Sequence, residues 1–173
     1  ARVVEVVVPE GVETIGNLAF SFCKKLERII LPSSLKSIGE KAFEFCENLK
    51  EINIPDGVEF IGEDAFYNCL KLDNVNIPNK IKSLEKHVFS GCESLTTVKI
   101  PEHITSIPSF AFSYCKKLKS VSLNENTTIG ECAFLECESL TDIYLDEKAK
   151  IEDAAFKGCA GLQDANGFVF VNN

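Results

Sequence analysis

The chain has 173 residues, of which 45% are hydrophobic and 25% charged, a balance that excludes disorder and fits one domain with a real core. A net charge of −8 and a pI near 4.9 argue against nucleic acid or an anionic membrane as partner, since a phosphate backbone needs a Lys/Arg stripe. No apolar run approaches the roughly 18 residues a membrane helix needs, and no signal-peptide pattern is visible.

The chain opens on Ala1, contains no Met, and enters directly on an apolar, strand-like run from Val3 to Val8. It reads as a piece cut from a longer protein. From there a repeat takes over. The motif A/V-F-x-x-C-x-x-L recurs at Phe20, Phe43, Phe66, Phe89, Phe112, Phe134 and Phe156, spaced by 23 residues and, for the last two intervals, by 22. Cysteines keep step at Cys23, Cys46, Cys69, Cys92, Cys115, Cys137 and Cys159. Prolines do the same at Pro9, Pro32, Pro55, Pro78 and Pro101, until Asn124 and Asp146 replace them. The basic residues come as scattered pairs such as Lys24-Lys25 and Lys116-Lys117, which read as solvated.

One coil shows how the chemistry runs. Ile52 and Ile54 alternate with polar neighbours at period 2, the mark of a strand with one buried face. Pro55 ends that strand because it has no N–H for the next ladder bond, and Asp56-Gly57 completes a turn. Val58 and Ile61 point inward from a short extended piece. Gly62-Glu63-Asp64-Ala65-Phe66 is expected to form a short helical turn. The glycine column (Gly16, Gly39, Gly62, Gly130) holds Pro108 in one coil, so it needs no positive φ and is expected at the first helical position. A single coil cannot bury its own apolar face, so neighbours must stack into a one-dimensional solenoid with a parallel sheet along one side.

The pattern L-x-x-I-x-L/I-P-x-x-L/V-x-x-I-G-x-x-A-F-x-x-C, running from Val3 to Leu162, resembles the BspA-like, or Treponema pallidum-type, leucine-rich repeats. The resemblance implies an α/β fold, a right-handed βα superhelix of about seven coils of 22–23 residues. It also implies a protein of the bacterial surface, or of some parasitic protists, with adhesion to host matrix proteins or other cells among the family's roles.

Two segments depart from the pattern. The coil through Asn124 to Ile129 is one residue short and lacks its proline, so the surface should dent there. Residues 163–173 abandon the repeat: Asn166-Gly167 signals a turn and Phe168 to Val171 a strand. The domain reading is therefore a solenoid over 1–162 and a non-repeat strand or cap over 163–173, with the native chain continuing beyond it.

Catalytic signatures are missing: there is no G-x-G-x-x-G, phosphate loop, H-E-x-x-H, G-x-S-x-G or C-x-x-C. His87 and His103 occupy different columns and are expected to face different sides, sharing no metal. No cofactor, no metal and no catalytic residue is expected. Cysteines in one ladder point in parallel, whereas a disulfide needs them to converge, so the ladder thiols are expected to be reduced and buried. Cys132 lies in a variable column (Leu18, Lys41, Asp64, His87, Phe110, Ala154) and is expected to be the most accessible thiol. Asn126-Thr127-Thr128 matches a glycosylation sequon, which matters only in a secreted eukaryotic protein.

The outward strand columns read Glu5, Arg28, Glu51, Asn74, Thr97, Ser120, Asp142 and Val7, Ile30, Asn53, Asn76, Lys99, Ser122, Tyr144. A protein partner is expected on the continuous patch of Arg28, Ile30, Glu51, Asn53, Asn74 and Asn76, with Tyr144 as a second contact. Phe22 and Phe45, neighbours on adjacent coils, form an alternative patch, unless their rings simply pack on each other. The function expected is a non-catalytic binding or adhesion module of a surface or secreted protein, monomeric in this piece. The alternative is a structural spacer holding another domain away from the cell.

Overall fold

The computed structural model describes residues 4–162, so the expected cap over 163–173 lies outside the described residues. In chain order the strands are β1 (Val4–Val7), β2 (Thr14–Ile15), β3 (Leu26–Ile30), β4 (Ser37–Ile38), β5 (Glu51–Ile52), β6 (Phe60–Ile61) and β7 (Asn74–Val75). They continue with β8 (Thr97–Lys99), β9 (Ser106–Ile107), β10 (Ser120–Ser122), β11 (Thr128–Ile129), β12 (Asp142–Ile143) and β13 (Lys150–Ile151). The period-2 pattern is realised as expected: Ile29, Ile52, Val75, Val98, Val121 and Ile143 are buried, and their sequence neighbours mostly face solvent.

The main face is the predicted parallel ladder. Strands β1-β3-β5-β7 pair in that order, and β8-β10-β12 carry the face on. Register follows the repeat, with Glu5 opposite Arg28, Arg28 opposite Glu51 and Glu51 opposite Asn74. No ladder joins β7 to β8, although the Thr96 N–H donates to the Asp73 carbonyl at 3.3 Å. The short extended piece of most coils also forms a ladder, which the sequence reading did not anticipate. It runs β2-β4-β6 and then β9-β11-β13, and the intervening coil, with Lys82, Ser83 and Leu84, contributes no strand to it.

The helical turn is the expectation that fails. Among the described residues the only helix is a three-residue 3-10 turn at Ala160–Leu162. The stretch from each column glycine to each cysteine is instead a chain of tight turns, closed by bonds such as Ala65 N–H to the Gly62 carbonyl at 3.2 Å. Two columns in it have positive φ: Leu18, Lys41, Asp64, His87, Phe110, Cys132 and Ala154, at 54–60°, and Phe22, Phe45, Asn68, Gly91, Tyr114, Glu136 and Gly158, at 54–79°. A positive φ at the third residue is the mark of a type II turn. It costs a non-glycine residue roughly 1–2 kcal/mol. The return is a bond between coils. Each of these N–H groups from Leu18 to Cys132, and from Phe22 to Glu136, donates to a carbonyl of the next coil at 2.6–3.4 Å. A helix would have used those donors within its own coil. The α half of the expected βα superhelix is therefore corrected to turns.

The glycine column behaves as predicted in φ, and at Gly39, Gly62 and Gly130, though not at Gly16, the small residue serves close contact. A Cβ on Gly62 would lie 2.5 Å from the Glu40 backbone nitrogen, so bare backbone lets the coils approach.

Inside the coils the motif phenylalanines stack into one rail. Centroids from Phe20 to Phe156 are 5.3–5.6 Å apart and neighbouring rings are within 14° of parallel. Beside it runs the thiol ladder. Cys46, Cys69, Cys92, Cys115, Cys137 and Cys159 are buried, and each Sγ–H donates at 3.0–3.3 Å to the motif-Phe carbonyl of the preceding coil. All eight cysteines are free. Cys23, however, is exposed and Cys132 only half-buried, so the most accessible thiol is Cys23. Its ladder place is covered by a preceding Phe-Cys turn in every other coil, and it has none in this sequence.

Candidate protein-binding face

The alternation of the strands brings the expected patch together. Arg28, Ile30, Glu51, Asn53, Asn74 and Asn76 are all exposed and line one shallow depression of about 480 Å³ across β3, β5 and β7. Ile30 keeps 41% of its surface in water, an apolar group on a polar face. Arg28 is flanked in its own column by two acids, with Nε 3.5 Å from Glu5 Oε2 and 3.8 Å from Glu51 Oε1. Both distances exceed a good hydrogen bond, so the guanidinium is steered by its neighbours while its donors stay available.

Asn76 has another role. Its Oδ1 accepts from the Ile54 N–H at 3.0 Å and its Nδ2 donates to the Ile54 carbonyl at 2.7 Å. The side-chain amide replaces the backbone ladder where β5 and β7 stop after two residues, so it has little left for a partner.

Tyr144 stands apart, beyond β8 and β10. It is 56% exposed and borders a second depression of about 450 Å³ with Glu125, Asn126 and Asp146, at the shortened coil. There Asn124 stands in for the missing proline: its Nδ2 donates to the carbonyls of Pro101 and Ile104, both at 2.8 Å. Asn126, the sequon residue, is exposed and donates its N–H to the Asp146 carboxylate. That bond, with the N–H groups of Lys148 and Ala149, holds the Asp146 carboxyl below its usual range.

On the turn side, the Phe22 and Phe45 rings stack at 4.7 Å, and Phe45 meets Tyr67 edge-on at 5.4 Å. Phe45 is half-buried and Phe22 remains 59% exposed. His103 donates from Nε2 to the Ile81 carbonyl at 2.6 Å, a bond within the stack. His87 and His103 are not brought together. His87 meets Glu63 and Asp64 instead, a cluster that comparing the two histidines with each other passed over. The available signal was that His87 follows Asp64 by one repeat in the same column.

The BspA-type leucine-rich-repeat region matches the chain in six copies, over residues 2–63 and 38–163. The chain belongs to the BspA-type leucine-rich-repeat family. Solved structures of other repeat proteins superpose well on this BspA-type chain. A leucine-rich-repeat protein of T. pallidum is 32% identical, with a TM-score of 0.83, over 92% of this chain and 78% of its own. One from Bacteroides ovatus is 32% identical with a TM-score of 0.75 over 90% of this chain, and one from Eubacterium ventriosum is 32% identical with 0.77 over 89%. The chain spans 47% and 42% of those last two. A comparison with curated proteins finds no match. Among the described residues, no helix is long and apolar enough to cross a membrane.

Proposed function

We propose that this BspA-type chain is a non-catalytic protein-binding module of a surface or secreted protein, with the main sheet face as its contact surface. The observation that carries the reading is Ile30 exposed beside Arg28, at the edge of a depression floored by exposed residues of three adjacent strands. Arginine beside an apolar anchor is the composition of an interface hot spot. Flanking amides of Asn53 and Asn74 supply adaptable hydrogen bonds, and strand spacing of about 4.8 Å keeps all these side chains within one footprint. Tyr144 offers a second contact, with apolar area and a polar tip. Family resemblance supports adhesion as the biological setting, with an extracellular-matrix or cell-surface protein as partner.

A competing surface exists in Phe22 and Phe45, because Phe22 keeps most of its ring in water. Hydrogen–deuterium exchange of the chain, free and mixed with purified extracellular-matrix proteins, separates the two. The sheet-face reading expects slowed exchange in peptides covering Leu26–Ile30, Glu51–Asn53 and Asn74–Asn76. Slowing confined to Ser21–Cys23 and Glu44–Cys46 would move the contact to the turn side.

A further inference from the structure

His87 carries an arrangement that the packing of the solenoid does not use. Its ring lies against Phe110 at 5.1 Å and edge-on to Tyr67 at 6.4 Å, which fixes its plane. Nδ1 then points at two carboxylates of the preceding coil, 3.5 Å from Asp64 Oδ1 and 3.8 Å from Glu63 Oε1. Neither is a hydrogen bond. Among the described residues, this nitrogen is the one buried side-chain nitrogen or oxygen without a hydrogen-bond partner. A ring nitrogen with no partner inside the protein, on a side chain that is one-third exposed, is a place where an ion can be held.

We propose that Glu63, Asp64 and His87 form a surface site for one divalent transition-metal ion of the zinc class. Nδ1 and one oxygen of each carboxylate are its ligands, and the remaining position is open to water or to a partner's side chain.

The spacing supports an ion more than an ion pair. Bonds of about 2.0–2.2 Å in tetrahedral geometry put neighbouring ligand atoms roughly 3.3–3.6 Å apart. The Asp64 distance already fits, Glu63 is exposed and free to close the rest, and the three donor atoms lie within 4.8 Å of one another. Lys41 Nζ is 3.8 Å from Asp64 Oδ2, the other oxygen, which leaves Oδ1 for the ion. Glu44 lines the same cleft of about 430 Å³, so its ionised groups favour a cation on balance. An imidazole nitrogen among the ligands selects zinc-class ions over calcium or magnesium, which take oxygen ligands. The placement also has a structural consequence. The ion would add a side-chain tie between the turns of the Asp64 and His87 coils, beside the bond from the Asp64 N–H to the Lys86 carbonyl at 3.1 Å.

Asp64 and His87 both have positive φ, which asparagine tolerates, so Asp64→Asn and His87→Asn remove a ligand with little backbone cost. Zinc chloride is titrated calorimetrically into the chain carrying Cys23→Ser and Cys132→Ser, which removes the two accessible thiols. One equivalent is expected to bind, with affinity lowered at least tenfold in His87→Asn and in Asp64→Asn, and unchanged in His103→Asn. The His87 imidazole NMR signals should shift with zinc while those of His103 stay. Folding of each variant is checked by circular dichroism. No binding to the Cys23→Ser/Cys132→Ser chain, binding undiminished in His87→Asn, or equal loss in His103→Asn would each overturn the assignment.

Discussion

Replacing Phe66 with alanine probes the aromatic rail where it is most enclosed. Phe66 is fully buried, stacked on Phe43 at 5.3 Å and on Phe89 at 5.4 Å. Truncating a buried phenylalanine costs about 3–5 kcal/mol, from lost transfer energy and the cavity left behind. The cavity cannot collapse easily, because backbone bonds on both sides of the coil hold it open: Phe66 N–H to the Val88 carbonyl and Phe43 N–H to that of Ala65. Phe20, at the end of the rail, is half-buried with one ring neighbour, Phe43. With about half the burial and half the stacking, Phe20→Ala should cost roughly 1.5–2.5 kcal/mol on the same scale. Guanidinium denaturation followed by circular dichroism gives both values. Equal costs for the two variants, or a Phe66→Ala cost under about 1 kcal/mol, would refute a rail whose strength depends on neighbours on both faces.

The thiols give two further tests. Native titration with a thiol reagent should modify Cys23 fastest and Cys132 next, with the six buried ladder thiols reacting only on denaturation; modification of Cys92 at a rate matching Cys23 would contradict the ladder. Burial pushes the Cys46 thiol up to about 12 and those of Cys69 and Cys92 well above the usual value of 9.0. Above pH 9 the unfolded chain therefore loses thiol protons that the folded chain retains, so stability should fall as pH rises from about 9 towards 12. Cys46→Ala should flatten that slope, and an unchanged slope would deny the contribution. Far-UV circular dichroism should show a helix-poor spectrum, since turns replace the expected helical segments; a strong helical signal would restore the βα reading.

Legibility in the sequence followed the physics of each column. The strands could be read because Ile29, Ile52 and Val75 obey a period-2 code that side-chain burial enforces, and the thiol ladder because only stacked coils keep Cys in register; the stacking of the motif phenylalanines went unread. The turns could not. Positive φ at Leu18, Phe22, Phe45 and Tyr114 contradicts residue preference and is bought by bonds to the next coil, which no local pattern encodes. The second ladder hid for a similar reason, since two-residue strands such as β4 and β6 carry too few positions to show a period. For the binding face, alternation was enough to list the outward side chains. It could not reveal that Asn76 spends its amide on Ile54. Exposure of Cys23 depended on its place in the stack, and the meeting of His87 with Asp64 on comparing coils rather than histidines.

The most direct test of the binding face is an affinity measurement on paired variants. The chain, Arg28→Ala with Ile30→Ala, and Phe22→Ala with Phe45→Ala are each passed over immobilised, purified extracellular-matrix proteins. Thermal melts confirm that all three stay folded. If the main sheet face is the contact surface, the Arg28/Ile30 pair weakens binding by about fivefold or more, corresponding to about 1 kcal/mol, while the Phe22/Phe45 pair binds like the parent. Binding that survives the Arg28/Ile30 pair and disappears with the Phe22/Phe45 pair would place the working surface on the turn side and contradict the account.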